Sequence, residues 1–110
     1  ICTYNNYDLL YKCLLSAANQ SAPSDEYEII ILDNTPTEII AESKKEYDKI
    51  HNLSKTIKNC RYINILTDGL SGARNACIEE SKSDLIYFVD DDAIVDSDLI
   101  RNMVKKFKNT

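Results

Sequence analysis

The sequence predicts an α/β protein built on a Rossmann-like, doubly wound and mostly parallel sheet, and three observations carry that expectation. Short apolar runs rich in β-branched residues alternate with segments whose apolar residues recur at helical spacing. The run Ile29-Ile30-Ile31-Leu32 is continuous rather than alternating, as a strand covered on both faces should be. Acidic residues, Asp33 and the triplet Asp90-Asp91-Asp92, directly follow apolar runs, where strands would surface at a sheet edge. Strand–helix alternation joins parallel strands through crossovers. Such sheets bind ligands outside the carboxyl ends of their strands, at a topological switch point.

Taken in order, Ile1 to Thr3 reads as the last part of a strand. Leu9, Leu10, Cys13, Leu14 and Ala17 then follow the spacing of a helix of about three turns, ended by Pro23. Tyr27 to Leu32 is the second strand. Thr35-Pro36-Thr37-Glu38 combines a Thr cap, Pro at the first helical position and Glu three residues after the cap, so a helix should start there. The stripe Ile40, Tyr47, Ile50, Leu53, Ile57 predicts one long or broken surface helix, with the lone His51 as a surface residue on it. Arg61 to Leu66 is the third strand, Ser71 to about Glu80 a short helix, and Leu85 to Val89 the fourth strand. A last helix should be capped by Asp96, Ser97 or Asp98. Its apolar face is Leu99, Ile100, Met103, Val104 and Phe107, and Lys105, Lys106 and Lys108 suit its C-terminal dipole.

Length and charge exclude several functions. At 110 residues, 44% apolar and 28% charged, the chain is one globular domain at most. A net charge of −5 argues against nucleic acid as a partner and against a polybasic membrane patch, since both need excess Lys and Arg. Cys2, Cys13, Cys60 and Cys77 form no C-x-x-C pair and read as reduced core thiols of a cytoplasmic protein. No apolar stretch is long enough to span a bilayer. A first residue that is Ile, and an end at the close of a helix in Lys105 to Thr110, lead us to expect sequence missing on both sides.

Three adjacent carboxylates repel one another unless a cation or hydrogen bonds offset the charge. Mg2+ or Mn2+ is the simplest use, because such ions take oxygen ligands and leave positions for water and substrate phosphates. The alternative is a solvated loop with one carboxylate capping a helix. Asp33 reads either as a ligand-facing carboxylate or as an Asx turn leading into the next helix. Both glycines, Gly69 and Gly72, lie in Gly69-Leu70-Ser71-Gly72-Ala73-Arg74-Asn75. A glycine-bearing turn at a helix N-terminus can present amides to an anion, and Arg74 can pair with phosphate; the alternative is a plain turn with Arg74 in a structural ion pair.

Four segments together resemble the ordered motifs of family 2 glycosyltransferases, which have the GT-A fold: Ile1-Cys2-Thr3-Tyr4-Asn5-Asn6, Ile29-Ile30-Ile31-Leu32-Asp33-Asn34, Gly69 to Asn75, and Tyr87-Phe88-Val89-Asp90-Asp91-Asp92. The resemblance covers essentially the whole chain. It implies that residues 1–110 are the N-terminal nucleotide-sugar-binding part of such an enzyme, one of the kind used in polysaccharide biosynthesis. The activity implied is transfer of a sugar from a nucleoside diphosphate sugar to an acceptor hydroxyl, metal-dependent and inverting. By the same resemblance, Thr3 and Tyr4 lie against the nucleotide, Asp33 reads its base or ribose, and Arg74 belongs to the same pocket. Asp90 and Asp92 match the D-x-D pattern, with Asp92 the direct ligand of Mg2+ or Mn2+ and Asp90 and Asp91 at the ribose or the metal's water shell. The general base is expected beyond Thr110. The acceptor, whether saccharide, lipid-linked or protein, is left open, and any membrane attachment is expected from sequence outside the chain. A phosphatase of the haloacid dehalogenase type also carries D-x-D, but after its first strand, and there Asp90 would be nucleophile and Asp92 acid. A non-catalytic metal- or nucleotide-binding module is the third class.

Overall fold

The computed structural model describes residues 1–108; Asn109 and Thr110, expected to close the last helix, lie outside them. The elements are β1 (Cys2–Thr3), α1 (Tyr7–Ala18), a 3-10 turn (Ser24–Glu26), β2 (Ile29–Asp33), α2 (Thr37–Glu42), α3 (Lys44–Thr56), β3 (Cys60–Asn64), α4 (Gly69–Glu80) and α5 (Leu99–Lys108). The three strands form one parallel sheet in the order β1-β2-β3. Thr3 lies opposite Asp33, and Asp33 opposite Asn64, so all three strands end at one edge.

Side-chain parity assigns the two faces. Ile29 and Ile31 point to the face covered by α1 and α3, in a core with Tyr7, Leu10, Leu14 and Ile50. Leu32 points the other way, against Ala73 and Cys77 of α4. Asp33, two residues after Ile31, therefore shares the α1/α3 face. The α2–α3 segment is the broken form of the expected helix, interrupted at Ser43, whose N–H bonds back to Ile39 and Ile40. His51 is half-buried rather than on the open surface, its ring 5.4 Å from that of Tyr47 and 5.1 Å from that of Tyr62.

Two expectations change. Helix α2 begins at Thr37, and Thr35 does not cap it, because the Thr35 hydroxyl is taken by Asp33 at 2.5 Å. Residues 85–89 form no strand among the described residues. One parallel bridge, Cys2 to Asp90, places this segment on the free side of β1, and Leu85 and Tyr87 stay exposed. A ladder needs successive backbone pairs, and a single bridge at Asp90 does not make one. The spatial order β3-β2-β1 followed by the returning Asp90 segment still puts a switch point between β1 and Asp90.

Candidate functional site

At that switch point lies an open cleft of about 490 Å3, walled by Thr3, Tyr4, Asn34, Gly69, Leu70 and Asp91 among others. Each wall comes from a different strand end. Thr3, at the carboxyl end of β1, is buried, and its hydroxyl donates to the Asp91 carboxylate at 2.9 Å across the switch point. Tyr4 is exposed at the cleft mouth. Next to it Asn5 adopts φ 46°, a left-handed conformation that Asn tolerates, and its N–H donates to the Thr35 hydroxyl at 2.8 Å.

Asp90 to Ala93 is a tight turn closed by the Ala93 N–H on the Asp90 carbonyl at 3.0 Å. This leaves Asp90 and Asp92 exposed, and neither carboxylate takes a hydrogen bond or ion pair from the described residues. Among the described residues no three His, Cys, Asp or Glu side chains converge as a ready-made metal cage. One or two free carboxylates with room for water and phosphate oxygens is nevertheless the donor set that Mg2+ takes, so these residues fit a hard cation bound together with a phosphate ligand.

Asp33 sits elsewhere. It is completely buried, on the face opposite the α4 side, and both carboxylate oxygens are engaged. The Tyr7 hydroxyl donates at 2.9 Å and the Tyr62 hydroxyl at 2.6 Å to one oxygen; the Thr35 N–H, at 3.1 Å, and the Thr35 hydroxyl, at 2.5 Å, donate to the other. The Thr35 N–H bond is the Asx turn. Burial, reinforced by the neighbouring carboxylate, pushes both phenols well above their ordinary range. Through Thr35 the buried carboxylate reaches Asn5, so it ties the β2 loop to the β1 loop.

The residue from the β2 motif that does line the cleft is its neighbour, Asn34. Its side-chain oxygen accepts the Thr67 N–H at 2.6 Å, and its own N–H donates to the Thr3 carbonyl at 2.9 Å, joining three strand ends. Strand parity carries the signal for it, since alternate residues of β2 face alternate sides. On the opposite wall, Gly69 opens α4 with φ +67°, which favours glycine, and a Cβ at Gly72 would come within 3.2 Å of the Thr67 side chain. Arg74, one turn further along α4, is exposed, its guanidinium 5.5 Å from the Phe88 ring. The Cys2 and Cys77 sulfurs are 3.6 Å apart, and a hydrogen bond from Cys77 to Cys2 lowers the Cys2 thiol and raises that of Cys77. No helix among the described residues is long and apolar enough to cross a membrane.

The chain is 32% identical over 101 residues to a poly(ribitol-phosphate) beta-glucosyltransferase of Bacillus spizizenii, covering 88% of the chain and 15% of that protein. It is 31% identical over 108 residues to a beta-monoglucosyldiacylglycerol synthase of a Nostoc species, covering 94% of the chain and 22% of the relative. In three dimensions it is similar to residues 1–349 of TarS from S. aureus, with a TM-score of 0.75 at 19% identity over 98% of this chain and 31% of that one. The same TarS fragment solved with UDP gives a TM-score of 0.73 at 20% identity, over 98% and 30% of the two chains. These likenesses show the GT-A fold, and the chain spans less than a third of each of these proteins. The family model of Glycosyl transferase family 2 matches residues 1–110, every residue of the sequence, and the chain belongs to that family.

Proposed function

We propose that residues 1–110 form the donor half of a sugar-transfer site, which holds a nucleoside diphosphate sugar with Mg2+ or Mn2+ and delivers the sugar, with inversion, to an acceptor hydroxyl. The observation that carries the proposal is the Thr3–Asp91 hydrogen bond across the switch point, which holds Asp91 in the cleft wall, flanked in sequence by Asp90 and Asp92, whose carboxylates take no hydrogen bond among the described residues. UDP is the nucleotide proposed, on the likeness to the TarS fragment solved with it. The beta-configured products named for the two bacterial relatives support inversion.

Within this reading Tyr4 and Asn34 face the nucleoside, and Thr3 and Asp91 set the distance between β1 and the metal turn. The start of α4 offers amides to the diphosphate, with Arg74 beside it. Asp92, assisted by Asp90, would hold the cation, which when bound supplies positive charge against the charge that develops on the leaving diphosphate. Asp33 contributes by fixing the two loops through Thr35 and Asn5 instead of touching the ligand.

We place the general base on residues other than Asp96 and Asp98. Asp96 accepts the Asp98 N–H at 2.8 Å, and Asp98 accepts the Ser21 hydroxyl at 2.6 Å, contacts that serve the start of α5 and support that reading. The test is UDP release from UDP-sugars by the full-length protein, with and without Mn2+ and candidate acceptors. Metal-stimulated release that rises with an acceptor is expected; no release under any of these conditions contradicts the proposal.

A further inference from the structure

We propose that Cys2 and Cys77 are a redox modification site: a thiol pair that closes to a reversible disulfide across the β1–α4 packing by exchange with a small-molecule disulfide such as glutathione disulfide. The two sulfurs are 3.6 Å apart although 75 residues separate them in sequence. An S–S bond is about 2.05 Å long, so closure asks for a shift of about 1.5 Å between a two-residue edge strand and a helix that packs on it. Access is unequal. Cys2 is half-buried and lines the cleft, whereas Cys77 is 5% exposed and lines a separate hollow beside Ile1 and Leu85. The other two thiols lie elsewhere, Cys13 donating to the Asp90 carbonyl at 3.4 Å and Cys60 packing beside the α1/α3 core.

The order of events follows from access. The Cys2 thiol attacks glutathione disulfide, the glutathione S–S bond breaks, and one glutathione leaves carrying the proton that Cys2 loses. The Cys77 sulfur then attacks the Cys2 sulfur of the mixed disulfide and expels the second glutathione, which takes the proton of Cys77. Two protein thiols are oxidised, one glutathione disulfide is reduced to two glutathiones, and atoms balance. The product joins the strand that carries Thr3 to the helix that begins at Gly69, fixing two walls of the cleft relative to each other. This chemistry is independent of what the cleft binds.

The experiment equilibrates the full-length protein at graded ratios of glutathione to glutathione disulfide, traps remaining thiols with N-ethylmaleimide and maps the digest by mass spectrometry. A linked Cys2–Cys77 peptide pair should grow with the oxidised share, vanish on adding dithiothreitol and raise the unfolding midpoint by several degrees. In Cys77→Ser, Cys2 should instead stop at the glutathione mixed disulfide. The proposal is overturned if, in wild type under glutathione disulfide alone, both cysteines remain alkylated, if Cys2 stays as the mixed disulfide, or if the linked partner is Cys13 or Cys60.

Discussion

Two acidic stretches follow apolar runs at the same end of the molecule, and their surroundings differ in every respect that matters to a carboxylate. At the end of β2, Asp33 is fully buried and takes four hydrogen bonds from Tyr7, Tyr62 and Thr35. At the end of the 85–89 run, Asp90 and Asp92 are exposed and take none from the described residues. A buried carboxylate without a cation is tolerated only when hydrogen bonds replace its hydration, and the four donors around Asp33 do so. Carboxylates left free at a cleft retain their capacity for a ligand. Asp91 stands between the two cases, half-buried and pinned by Thr3.

Removing one acid from each region and measuring unfolding by urea should separate the two strand ends. Asp33→Ala leaves the hydroxyls of Tyr7, Tyr62 and Thr35 without their acceptor and should cost about 3–5 kcal/mol, whereas Asp92→Asn should change stability by no more than about 0.5 kcal/mol. Equal losses would erase the distinction drawn between the two strand ends.

A smaller effect tests the Asp33 network from its other side. Tyr62→Phe deletes one hydrogen bond to a buried charge and should cost about 1.5–3 kcal/mol. The folded-state phenols of Tyr7 and Tyr62 are raised above the ordinary 10, so their contribution is complete below that pH and is lost as pH climbs through and beyond it. Wild type should therefore weaken in alkali above about pH 10, with a shallower slope in Tyr62→Phe. Identical slopes would mean that Tyr62 ionises as freely folded as unfolded.

Much of this was legible in the sequence. Alternating strand and helix patterns gave the parallel sheet, and Thr3, Asp33 and Asp90 at the close of apolar runs gave the edge at which its strands end. The Asx turn at Asp33 was one of two open readings, and the Thr35 N–H closes that turn. Its tyrosine partners were hidden because they come from 26 and 29 residues away and depend on how α1 and β3 pack on β2. Thr35 read as a helix cap because local rules say nothing of a buried carboxylate competing for its hydroxyl. Leu85 to Val89 has the composition of a strand, yet composition does not supply the neighbouring backbone that a ladder requires. The proximity of Cys2 and Cys77 likewise exists only once α4 lies on β1.

Aspartates that serve a metal–nucleotide ligand should reveal themselves in isothermal titration of UDP into the full-length protein, with Mn2+ and without it, in wild type and in Asp92→Asn. Binding to wild type should depend on Mn2+, and folded Asp92→Asn should lose at least about tenfold in affinity, about 1.4 kcal/mol. Equal affinity with and without metal, or an unchanged affinity in Asp92→Asn, would remove the metal–nucleotide role from these residues.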